Sequence, residues 1–182
     1  MNNNGVERKE ISSGILVYRI INGEIQVLLG KNGGPRWLKR SVGAWNIPKG
    51  HIEEGENLLD GAIREFMEET SLNIDIGDIT EKIYLGTSKT SSGKIVHIFA
   101  INHDYANSPE TFKVEISSNM CETEWPIKSG KMITVPELSE AYYFKMNVAK
   151  RMIFPYQKIF LDRLEENLKA GDQSNEEIWW II

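Results

Sequence analysis

Apolar and β-branched residues dominate Ser12–Ile20 and Glu24–Leu29, and the intervening Asn22-Gly23 predicts a tight hairpin joining two strands. Lys31–Ser41, which holds Gly33-Gly34-Pro35, reads as a loop, and Val42–Pro48 as a short strand. Across Leu58–Thr70 the apolar positions Leu59, Ala62, Ile63 and Phe66 recur at helical spacing, with Asn57 as N-cap and Asp60 three residues on. Lys82–Thr87 and Lys94–Ile101 predict two more strands, joined through Thr90-Ser91-Ser92-Gly93. His103–Val135 reads as irregular, with loops around a strand near Cys121–Trp125. Asn147–Met152 predicts a short helix. A longer one opens at Pro155, carries the packing stripe Phe160, Leu161, Leu164 and Leu168, and stops at Gly171.

Strands alternating with helices, without repeats, predict an α/β (α+β) fold in one domain over residues 1–170, followed by a tail at 171–182. That tail ends on the apolar run Ile178-Trp179-Trp180-Ile181-Ile182, which is expected to dock on its own domain or on a second subunit of a homodimer. At 182 residues and 41% hydrophobic, the chain can bury a core without disulfides. A net charge of −5 argues against a nucleic acid polymer as partner, but not against a small phosphorylated ligand held through bound cations. Cys121 is the one cysteine, so neither a disulfide framework nor a clustered-cysteine zinc site is expected. Met1–Glu10 lacks the apolar centre of a signal peptide and no run approaches membrane-spanning length; a cytoplasmic protein without a membrane partner is the expectation.

The chemistry is concentrated between Gly50 and Leu72. On the predicted helix Glu65, Glu68 and Glu69 stand at i, i+3 and i+4 and share one face. Like charges so spaced cost about 0.2–0.5 kcal/mol per pair unless a cation neutralises them. Hard divalent ions such as Mg²⁺ or Mn²⁺ suit such oxygen donors. A glycine-bounded loop precedes the helix, and Arg64 is available to pair with Glu56 across it.

Glycine, five residues, Glu56, seven residues, then Arg64-Glu65-Phe66-Met67-Glu68-Glu69-Thr70-Ser71-Leu72: this spacing resembles the Nudix box. Ser71 departs from it, standing where that family usually has glycine; it must accept positive φ, or the chain must turn elsewhere, as at Asn73. Trp45-Asn-Ile-Pro-Lys-Gly-His51 is similar to the segment entering the box in diadenosine polyphosphate hydrolases. Gly33-Gly34-Pro35-x-Trp37, Glu122-x-Glu124-Trp125-Pro126 and Phe154-Pro155-Tyr156-Gln157 together resemble a bacterial subgroup of predicted nucleoside triphosphate pyrophosphohydrolases.

The resemblance implies a Nudix-type mixed β-sheet sandwiched between α-helices. It implies a metal-dependent hydrolase that cleaves a phosphoanhydride in a nucleoside diphosphate linked to another moiety, with a nucleoside triphosphate as the first substrate expectation. Dinucleoside polyphosphates are the alternative. A catalytically silent nucleotide-binding regulatory module is a further one, and an isomerase built around Cys121 ranks low. Glu65, Glu68 and Glu69 are the expected metal ligands, with the Gly50 backbone completing the shell and Glu56–Arg64 as a structural pair. Glu65 itself, or Glu122 or Glu124 from outside the box, is the expected base. Arg36 and Lys49 are the expected phosphate contacts, while Trp37, Trp45 and Tyr84 are candidates to stack a nucleobase.

Overall fold

The structure is a computed structural model that describes residues 10–74 and 81–178, the stretch 172–178 as backbone alone. The expected hairpin forms first: β1 (Ile11–Ile21) and β2 (Glu24–Asn32) pair antiparallel, with Asn22 at φ 51° and Gly23 at φ 77° between them. Both values are what a two-residue turn between twisted strands demands.

β3 (Trp45–Asn46) pairs with β2, and β4 (Lys49–His51) pairs with β1. These two fragments replace the single strand expected over Val42–Pro48. Between them the Ile47 N–H donates to the side chain of Gln157, and Pro48 has no N–H to offer a ladder. After α1 (Leu58–Thr70) come β5 (Ile83–Lys89), β6 (Ile95–Asn102), β7 (Lys113–Val114), β8 (Met120–Glu124), β9 (Met132–Pro136) and β10 (Leu138–Lys145). The main sheet runs β5-β6-β1-β2-β10-β7, with β1 and β6 parallel, while β8 and β9 form a separate ribbon.

β1 is buried on both faces, and its alternation builds two cores. Ile15 and Val17 meet Ala62 and Phe66 of α1 on one side. Leu16 and Tyr18 face the other, together with Phe160, Leu161 and Leu164 of the last helix. The sheet therefore lies between helices, as expected. α2 (Met146–Met152) and a 3₁₀ turn (Pro155–Gln157) lead into α3 (Lys158–Ile178).

Two expectations are corrected. Gly171 does not end α3, which continues to Ile178. The stretch read as irregular contains β7 and β9 as well as β8. The ribbon of β8 and β9 is exposed along much of its length, so it lacks the apolar alternation that marks a half-buried strand. The expected docking of Trp179-Trp180 lies outside the described residues. Among those described, no helix is long and apolar enough to cross a membrane.

Candidate active site

α1 begins where its sequence says it should. The Asn57 side chain accepts hydrogen bonds from the N–H groups of Leu59 (3.0 Å) and Asp60 (2.9 Å), satisfying two donors that have no helical partner. At the other end Ser71 takes the left-handed conformation at φ 56°, where glycine would be unstrained. Its hydroxyl donates to the Ser117 carbonyl at 2.6 Å, so the serine gains a tertiary bond that glycine could not make.

The helix sets its three glutamates against β4 unequally. Glu65 and Glu69 are buried, while Glu68 is exposed. The Lys49 N–H donates to the Glu69 carboxylate at 3.1 Å. A Cβ on Gly50 would fall on the Glu65 carboxylate, so glycine at this position leaves the carboxylate room to lie against β4. Arg64 organises the surrounding oxygens. Its guanidinium forks onto both oxygens of Glu56 (2.9 Å each), reaches Glu65 (2.9 Å) and Glu68 (3.3 Å), and donates to the His51 carbonyl (2.8 Å). The expected Glu56–Arg64 pair is thus present as a bidentate bond that ties the loop to the helix.

Burial pushes the Glu69 carboxyl up to about 8; the Lys49 charge and its N–H oppose the rise, and Glu137 and Glu65 reinforce it. Burial also raises Glu65, against the pull of Arg64. Hydrogen bonds from Arg64 and the Glu53 N–H hold Glu56 down at about 2.

These groups open onto a cleft of about 610 Å³, lined by Glu65, Glu68, Glu69 and Lys49 and also by Glu137, Cys121 and Thr123. β8 alternates, so turning Cys121 and Thr123 to the cleft turns Glu122 and Glu124 away from it. Glu122 is exposed, and Glu124 accepts a bond from the Gly130 N–H at 2.6 Å. Neither lines the cleft. Glu137 was missed from the sequence. It occupies the single position between β9 and β10, anchored by its N–H to the Asn119 carbonyl (3.0 Å) and by its carbonyl to the Gly33 N–H (2.9 Å). An isolated glutamate between Pro136 and Leu138 carries no signal until both flanking strands are known.

Arg36 is exposed and lies over the Trp37 ring, 5.1 Å from its centroid, and does not line the cleft. Trp45 is core: it is 5% exposed and packs edge-on against Tyr142 and Phe144. Tyr84 is half exposed on β5, beside His97 and away from the cleft. Trp37 does line the cleft.

The side chains fit a hard divalent cation in kind: the donors are carboxylate oxygens, and the buried Glu69 is flanked by further negative charge. They do not form a closed cage. Among the described residues no three acidic, histidine or cysteine side chains converge on one ion-sized point.

This fold and this helix of buried glutamates define a known class of protein. The NUDIX domain model matches residues 11–164, and the chain belongs to that family, whose members generally use divalent metal ions. It is 35% identical over 92 residues to an oxidized purine nucleoside triphosphate hydrolase of Mus musculus, covering 47% of this chain and 53% of that one, so it spans about half of that relative's length. It is 32% identical over 114 residues to an RNA pyrophosphohydrolase of Sulfurovum sp., covering 60% of this chain and 71% of that one. Its fold matches a C. elegans Ap4A hydrolase at TM-score 0.56 and 17% identity, over 87% of this chain and 98% of that one.

Proposed function

We propose that this protein is a pyrophosphohydrolase that uses Mg²⁺ or Mn²⁺ to cleave a phosphoanhydride of a nucleoside triphosphate, releasing a nucleoside monophosphate and pyrophosphate. The observation carrying this is the burial of Glu65 and Glu69 against the Lys49–Gly50 backbone at the floor of a cleft. Two adjacent buried carboxylates are costly to a fold, and a divalent cation removes that cost.

Glu65, Glu68, Glu69 and the Gly50 backbone oxygen would hold the cation. When bound, it would offset the phosphate charge and acidify water. Lys49 lines the cleft beside Glu69, which suits it to bind a phosphate oxygen. Arg64 does not touch substrate; its fork holds Glu56 and Glu65 in place. Glu137, which lines the cleft and acts electrostatically on Glu69, is assigned as the general base. Its carboxylate takes a proton from the attacking water, the role first expected of Glu65, Glu122 or Glu124.

A dinucleoside polyphosphate is the second substrate class, supported by the similarity of Trp45–His51 to hydrolases of such compounds. A silent binding module would have no use for buried Glu65 and Glu69. The test is hydrolysis of nucleoside triphosphates, diadenosine polyphosphates and nucleotide sugars with Mg²⁺ or Mn²⁺, run beside Glu69→Gln, with products separated by chromatography. Turnover by the wild type that the variant loses supports the proposal. Nucleotide binding without turnover on the whole panel overturns it in favour of the silent module.

A further inference from the structure

Residues 117–119, which lead into β8, hold the end of α1. The Ser117 N–H donates to the Thr70 carbonyl (3.1 Å) and the Asn119 N–H to the Glu68 carbonyl (3.0 Å), two acceptors of the last turn that have no helical partner. The same segment holds the chain at Glu137. The Glu137 N–H donates to the Asn119 carbonyl (3.0 Å), and the next N–H along, that of Leu138, donates to the Ser118 hydroxyl oxygen (3.0 Å). Successive N–H groups of an extended strand point to opposite sides, so their convergence on one dipeptide marks a corner, where the chain leaves the ribbon for the main sheet. The corner also meets Gly33, whose N–H donates to the Glu137 carbonyl (2.9 Å) and on which a Cβ would strike the Pro136 carbonyl. Of the bonds to Asn119, Ser118 and Gly33, only the one to Ser118 is made by a side chain.

From this geometry we infer that Ser118 is a positioning residue of the reaction: its hydroxyl, carried on the segment that caps the glutamate helix, sets where Glu137 stands relative to Glu65 and Glu69. The inference rests on the hydrolase proposed above, with Glu137 as its base. Leu138 is 3% exposed, so without the Ser118 oxygen its N–H is left unpaired and the chain must shift to regain a partner. Glu137 is the residue next to that shift. A base acts only within hydrogen-bonding reach of its water, so an ångström of displacement slows the reaction without weakening substrate binding. Glu137 also has a reporter that does not depend on turnover. Burial raises the Cys121 thiol, and the charges of Glu137 and Glu69 raise it further. Cys121 is the one cysteine of the chain, so alkylation reads that thiol alone.

The test pairs steady-state kinetics on nucleoside triphosphates with Mg²⁺ and the rate of Cys121 alkylation by iodoacetamide at pH 8, for the wild type, Ser118→Ala, Ser118→Thr, Glu137→Gln and the double variant Ser118→Ala/Glu137→Gln. Ser118→Ala should lower kcat about tenfold or more with KM within about twofold, and Ser118→Thr, which keeps the hydroxyl, should restore most of the loss. Glu137→Gln should speed alkylation, because removing its charge leaves more thiolate. Ser118→Ala should change the alkylation rate about twofold or more when Glu137 is present, and neither that rate nor kcat should change further in the double variant. Should Ser118→Ala fail to fold by circular dichroism, Ser118→Gly, which leaves room for a water in place of the hydroxyl, serves the same comparison. An unchanged kcat or alkylation rate in the folded variant, no rescue by Ser118→Thr, or a full Ser118→Ala effect in the absence of Glu137 overturns the assignment. If the wild type turns over no nucleotide, the hydrolase falls and alkylation alone decides whether Ser118 positions Glu137. Turnover that Ser118→Ala leaves intact keeps the hydrolase and removes the positioning role.

Discussion

The α-carbon of Gly50 and the carboxylate of Glu65 are so close that no β-carbon fits between them. Strand β4 and helix α1 meet at this point, and the position of a buried carboxylate depends on one missing methyl group. Gly50→Ala should push Glu65 off the cleft floor and lower kcat by about 100-fold, the scale of loss expected from ångström-sized misplacement. Steady-state kinetics beside a thermal melt check it; a folded variant with full turnover would mean that the placement of Glu65 does not depend on the missing methyl group.

Burial raises the Glu69 carboxyl to about 8 from an ordinary value of 4.5, which ties stability to pH. Between those values the unfolded chain releases the proton before the folded one, so the folded state binds more protons and loses stability as pH rises. The metal-free protein should therefore become less resistant to urea from about pH 5 to pH 8. Glu69→Gln should flatten that slope, and Mg²⁺ should stabilise the wild type more at pH 8 than at pH 5. A urea series across this range, with and without the ion, reads all three effects.

Glu56 titrates in the opposite sense, held at about 2 by Arg64. Its contribution is complete above about 4.5 and disappears as pH falls through 2, because the unfolded carboxyl takes up its proton first. Glu56→Gln should cost about 1.5–3 kcal/mol at pH 7, the range for hydrogen bonds to charged groups, and much less near pH 2. Arg64→Lys should not substitute well, since an ammonium cannot fork onto both Glu56 oxygens.

Glu137→Gln should lower kcat by about 10²–10⁴-fold, the usual contribution of a positioned base, with little change in the melting temperature. Glu122→Gln and Glu124→Gln should turn over like the wild type, because β8 directs both away from the cleft. The opposite ranking among the three would return the base to β8.

Ser71 carries two opposing effects, a strained φ of 56° and a bond to the Ser117 carbonyl. Ser71→Ala keeps the strain and loses the bond, and should cost about 1 kcal/mol. Ser71→Gly loses the bond but relieves the strain, and should fall within about 1 kcal/mol of the wild type. Chemical denaturation of the two variants separates these terms.

Helix α1 was legible from the sequence to its boundaries, as was the hairpin at Asn22-Gly23. So was the spacing of Glu65, Glu68 and Glu69. Each depends on residues at most a few positions apart, whose relative placement follows from helix or turn geometry without reference to any partner. The family resemblance was carried by the same local spacing. Tertiary structure alone decided which carboxylates become buried, since Glu65 and Glu69 lose solvent only where β4 packs on α1. It also decided which face of β8 meets the cleft. Side chains alternate along a strand, so a shift of one residue exchanges Glu122 and Glu124 for Cys121 and Thr123, and that register is set by pairing with β9. Glu137 and the Ser118 hydroxyl follow the same rule: their partners are distant in the chain, and only strand pairing brings them together.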